Sequence, residues 1–78
     1  MPYITQSERN AVDVGSPMNA GQLNYSITML IKNYVNINEL KYQTINDIIG
    51  ALEGAKAEFQ RRVVAPYEDK KILENGDI

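Results

Sequence analysis

The sequence contains no cysteine and no histidine. The first absence excludes disulfides and thiolate metal sites, and the second removes imidazole ligands and histidine acid–base catalysis. No apolar run approaches the ~18 residues that a membrane-spanning helix needs. Positive charge is in slight deficit, with eight basic against ten acidic side chains and a net charge of −2. That balance argues against a sequence-independent grip on duplex nucleic acid, which requires a basic footprint, but leaves room for a local basic pocket. The opening MPYITQSERN lacks the basic-then-apolar order of a secretion signal, so a cytoplasmic protein is expected.

Length sets the next bound. The chain has 78 residues, enough for one small domain. Such a chain buries only about 60% of the surface that its unfolded form exposes. Small scaffolds make up the deficit with disulfides, metals or partner subunits. Cysteine and histidine being absent, self-association into a homo-oligomer is the expected remedy.

What the sequence does have is helical periodicity. The pattern predicts an all-α fold in a single domain, 1–78. An irregular N-terminal arm covers 1–18, and an antiparallel helical hairpin with a C-terminal segment covers 19–78. In the arm, MPYITQ reads as extended, Ser7 as the cap of a short helix through Asp13, and Gly15-Ser16-Pro17 as a break. Asn19 is the expected cap of a helix over Ala20 to Val35. There Leu23, Ile27, Leu30, Ile31 and Tyr34 recur on one face, while Tyr25 and Met29 form a weaker pair on another. Asn36 and Asn38 suggest a turn running to Tyr42. Thr44, with Asp47 three residues on, resembles a capping box for a second helix reaching about Ala65. Ile45, Ile48, Ile49, Leu52, Ala55, Phe59 and Val63 share its apolar face. Pro66 predicts a kink or a restarted helix over Tyr67 to Glu74, which Asn75-Gly76 would end.

Three groups of residues carry chemical interest. Lys56 falls near the middle of the apolar face, between Ile49, Leu52 and Phe59. Its ammonium must snorkel, pair with an acid such as Glu53, or bind an anion. Gly50, Gly54 and Ala57 line another side of the same helix, where small residues let a second backbone approach; with Leu23 and Ile27 they form the expected oligomer interface. Arg61 and Arg62 precede Pro66-Tyr67-Glu68-Asp69, which suggests either ion pairs across the bend or a guanidinium fork for phosphate. Tyr25 and Tyr67 offer faces on which a base can stack. Catalysis is not expected: Ser26 and Thr28 have no histidine base, and Glu53, Glu58, Glu68 and Asp69 lack di-metal spacing. GALEGAK lacks the Gly-Lys-Ser/Thr ending of a phosphate loop. No cofactor or metal site is implied.

MPYITQ, GQLNYSIT, TINDIIGALEGAKAEFQRRVVAPYEDKKI and the closing ENGD resemble a family of short, uncharacterised helical proteins met in bacteriophages and bacteria. The resemblance covers nearly the whole chain and implies a phage or mobile-element setting. That setting implies one of the roles small helical oligomers often take there, binding a host protein or sequestering a nucleotide signal. The leading expectation is therefore a non-enzymatic oligomer holding a nucleotide, such as a cyclic immune signal, between subunits. Lys56, Arg61 and Arg62 would take phosphate, and Tyr25 or Tyr67 would stack on the base. The alternative is a module that binds a host protein through the apolar surface of 23–35, without a small ligand. A structural or packaging accessory of the particle is a third possibility.

Overall fold

The computed structural model describes residues 4–11 and 15–76, and among them every regular element is helical. Helix α1 spans Gln6–Ala11, α2 Ala20–Asn38 and α3 Tyr42–Phe59; a π-helical turn, Gln60–Val64, then leads into α4, Ala65–Asn75. The chain divides into two units, Met1–Thr44 and Ile45–Ile78.

The first unit is organised around the start of α2. Asn19 caps it as expected, its backbone extended and its Oδ1 accepting the Gln22 N–H at 2.9 Å. The Gln22 side chain reaches back, Oε1 accepting the Met18 N–H at 2.9 Å, which is a capping box displaced outward by one residue. Glu8 of α1 closes the arrangement. Its Oε2 accepts from Asn19 Nδ2 at 3.4 Å and from Gln22 Nε2 at 3.3 Å. A carboxylate is thus set at the electropositive end of α2, where it is stabilising. Gly15 and Ser16 form the expected turn and bend between the two helices.

Two expected caps are displaced. The N-cap of α1 is Thr5, whose Oγ1 accepts the Glu8 N–H at 3.1 Å and whose carbonyl accepts the Arg9 N–H at 2.9 Å. Ser7 lies inside that helix, and its expected end at Asp13 is outside the described residues. Thr44 likewise lies within the first turn of α3, which starts at Tyr42. Its hydroxyl is buried and donates to the Asn38 carbonyl at 3.4 Å, so it serves the end of α2 rather than the start of α3.

Helix α2 also outruns its expected limit at Val35. Asn38, read as a turn former, donates through Nδ2 to the Tyr34 carbonyl at 3.0 Å and so occupies an acceptor of the last turn. The helical conformation is broken instead at Glu39, at φ 66° and ψ 153°. That region belongs almost entirely to glycine and strains any residue with a Cβ.

In the second unit, the backbone neither stops nor takes a fresh cap at Pro66. Within an α-helix the proline ring would meet the carbonyl of Arg62, and position 66 would lack a donor. The π-turn widens the backbone just before it, with the Ala65 N–H bonding the Gln60 carbonyl, five residues back. The helical path therefore continues into α4 through one wide turn, without a restart. Gly76 ends it as expected, at φ 82°, its N–H on the Ile72 carbonyl at 2.8 Å.

Among the described residues no apolar side chain is buried; the buried side chains are the polar Ser26 and Thr44.

Candidate functional site

Ile45, Ile49, Leu52, Phe59 and Val63 lie along one side of the long helix, each between 39% and 58% exposed. Lys56 falls among them, is itself exposed, and makes no ion pair with Glu53 among the described residues. Of the roles open to this lysine, the pairing with Glu53 is therefore not the one adopted. Gly50 and Gly54 lie on the other side of the helix, and a Cβ built on either would meet nothing within 4 Å. Ala57 is exposed beside them.

The two arginines are engaged, though not with the acids beyond Pro66. Arg61 Nη2 donates to both oxygens of Glu58, at 3.0 and 3.1 Å, while Arg62 Nε donates to its Oε2. Glu58 sits one turn back, where helical neighbours meet; Glu68 and Asp69 are two turns on. Two guanidiniums on one carboxylate leave a local excess of one positive charge. All three side chains are more than half exposed, so these pairs contribute little stability. Tyr67 is exposed as well, with Lys71 Nζ 5.5 Å from its ring centroid and that ammonium 3.4 Å from Glu74.

The remaining expected ligand residue, Tyr25, belongs to a different feature. It is half-buried in a cleft of about 230 Å³ between the arm and α2, within the first unit. Arg9, Asn24, Thr28 and Lys32 supply its polar lining, and Ile4 and Met29 join Tyr25 on its apolar side. Gly21 forms part of the wall, letting the approach to the α2 backbone stay open. Thus the weaker apolar pair of α2, Tyr25 and Met29, turns inward, whereas Leu23, Ile27 and Leu30 are exposed. Sequence reasoning missed Arg9 and Lys32. Half the signal was visible, since Gly21, Tyr25, Thr28 and Lys32 recur at i, i+4, i+7 and i+11. The other half, Arg9, lies on α1, whose neighbouring Glu8 bonds Asn19 and Gln22 at the start of α2.

The family model of a domain of unknown function, DUF6899, matches residues 1–78. The chain belongs to this family. No curated protein and no solved structure matches it.

Among the described residues of this DUF6899 chain, no group of three or more His, Cys, Asp or Glu side chains is placed to hold a metal ion. No described helix is long and apolar enough to cross a membrane. What the surface of this DUF6899 chain presents is a row of exposed apolar side chains on the long helix and two groups of basic side chains. One group is the Arg61–Arg62 pair, and the other is Arg9 and Lys32 in the cleft of the first unit.

Proposed function

We propose that the chain is a non-enzymatic homo-oligomer whose subunits mate along the long helix and hold a nucleotide-type anion between copies. The observation that carries this reading is the exposed apolar side of that helix in a chain with no described apolar side chain buried. Ile45, Ile49, Leu52, Lys56, Phe59 and Val63 are spaced 4-3-4-3-4, the spacing of a coiled-coil seam. A second copy suits that seam. Laid antiparallel, Ile45 faces Val63, Ile49 faces Phe59 and Leu52 faces Lys56, so the two lysines do not meet. A single lysine in such a seam sets register at some expense of stability. A hairpin of α2 with the long helix, motivated by the short connection between them, belongs to the same proposal.

The ligand reading draws on the excess positive charge at Arg61 and Arg62, on Lys56, and on the exposed ring of Tyr67. Glu58 would share its guanidiniums with phosphate. The biological side of the proposal is a phage protein in the host cytoplasm that sequesters a cyclic nucleotide immune signal.

Native mass spectrometry of protein purified gently from host cells tests both halves. The expected result is a discrete oligomer carrying a nucleotide mass that denaturation releases and that Lys56→Met and Arg62→Ala each remove. A monomer at micromolar concentration refutes assembly. An oligomer with no small mass refutes the nucleotide and moves the function to a host protein, for which the exposed Leu23, Leu30 and Ile37 of α2 provide a second apolar surface.

A further inference from the structure

We propose that the cleft between the arm and α2 is a second binding site, complete within one chain, for a nucleoside monophosphate. Its lining is rich in donors and contains no carboxylate among the described residues. Arg9 brings a planar fork of N–H groups and Lys32 a compact ammonium, the two side-chain types that recognise phosphate. Neither forms an ion pair with a carboxylate among the described residues. The nearest acid in sequence, Glu8, is engaged with Asn19 and Gln22 instead.

The rest of the lining fits the body of the ligand. Tyr25 and Met29 give an apolar wall, with a ring on which a base can stack. Thr28 donates its hydroxyl proton to the Asn24 carbonyl at 2.9 Å, so the oxygen lone pairs facing away from that bond are left to accept from a sugar hydroxyl. The volume, about 230 Å³, lies below the range of roughly 300–1,000 Å³ occupied by drug-sized ligands and limits the occupant to one nucleotide with part of it in solvent.

This site does not depend on assembly, because every lining residue lies in the first unit. It also differs in residues from the Lys56–Arg61–Arg62 site, and the failure of either leaves the other standing.

The test is calorimetric titration of the full-length protein with adenosine, guanosine, cytidine and uridine 5′-monophosphates. Ribose 5-phosphate, inorganic phosphate and the unphosphorylated nucleosides serve as comparison ligands. Binding of at least one monophosphate is expected, about tenfold tighter than inorganic phosphate. Arg9→Ala and Lys32→Ala should each weaken it by about tenfold or more, and Arg62→Ala should leave it unchanged. Backbone amide spectra of the variants verify that α1 and α2 remain folded, and Arg9→Lys, which keeps the charge, should restore part of the affinity. No binding at millimolar ligand overturns the proposal, as do equal affinities for nucleosides and their phosphates or indifference to both cation variants. Inorganic phosphate binding as tightly as the nucleotides overturns the assignment of the nucleoside to the Tyr25 wall. The Phe59→Ala protein separates this site from assembly, since it should bind the monophosphate normally even as a monomer.

Discussion

Phe59→Ala is the sharpest probe of the assembly. The side chain is 58% exposed in the single chain. An aromatic residue buries about 150–250 Å² when fully covered, so roughly 115 Å² of Phe59 remains for a partner to cover. At about 25 cal/mol per Å², and allowing for the Cβ that alanine keeps, each copy should lose about 2 kcal/mol. A symmetric dimer loses it twice, about 4 kcal/mol, which is a dissociation constant raised roughly a thousandfold. Sedimentation equilibrium over a concentration series reads this directly. The intrinsic helix propensity runs the other way, alanine being better than phenylalanine by about 0.5 kcal/mol. Any loss of helical signal that accompanies dissociation must therefore come from the missing partner and not from the substituted helix. A dissociation constant within threefold of the parent would refute the argument, because it would mean that Phe59 stays in water in the assembled protein.

Three further substitutions test local features. Glu39→Gly should stabilise the fold by about 1 kcal/mol in urea unfolding, the relief of a strained backbone exceeding the extra entropy of glycine in the unfolded chain; a decrease would show that the Glu39 side chain does something the strain is tolerated for. Ser26 Oγ is buried without a hydrogen-bond partner among the described residues, so Ser26→Ala should raise stability by about 1 kcal/mol in a thermal melt. A loss of similar size would mean that the assembled protein supplies the hydroxyl with a partner. Pro66→Ala should let residue 66 donate to the Arg62 carbonyl and stabilise the helix by about 1–3 kcal/mol, seen in amide exchange at that position. An unchanged exchange pattern around 60–66 would show that something other than the proline maintains the π-turn.

The helical class, the Asn19 cap, the Gly15–Pro17 break and the Gly76 stop were all legible, because each rests on a local preference with few competitors. Ser7, Thr44 and Asn38 were misplaced for a shared reason. A hydroxyl or amide can serve a donor at the start of one helix or an acceptor at the end of another, and sequence spacing does not choose between them. Thr44 chose the Asn38 carbonyl, and Asn38 chose that of Tyr34. The partner of Arg61 and Arg62 was missed on different grounds. A break at Pro66 would have brought Glu68 and Asp69 round, but an unbroken helical path leaves Glu58 one turn away and within reach. The cleft was half legible on α2 and invisible from the arm, since a lone Arg9 acquires meaning only from where Glu8 docks.

The π-turn has a consequence for chain length. It carries one residue more than an α-helix needs to cover the same angle, so it is an insertion already absorbed. Continuing the 4-3 spacing past Val63 in a plain α-helix would put Pro66, Lys70 and Leu73 in line with Ile45 and Phe59. With the wide turn, Tyr67, Lys71 and Glu74 take that line instead, and Leu73 points away at 88% exposure. Deleting one residue from 60–64 and restoring α-winding would leave α4 facing as it does now and change the length of the helical path little, because the wide turn already holds its extra residue within about one turn. The same deletion anywhere in α3 would swing all that follows by about 100°. A relative of this chain one residue shorter should therefore carry its gap in the window just ahead of the proline, and engineered fusions that must keep the C-terminal turns in phase have one place where length is negotiable.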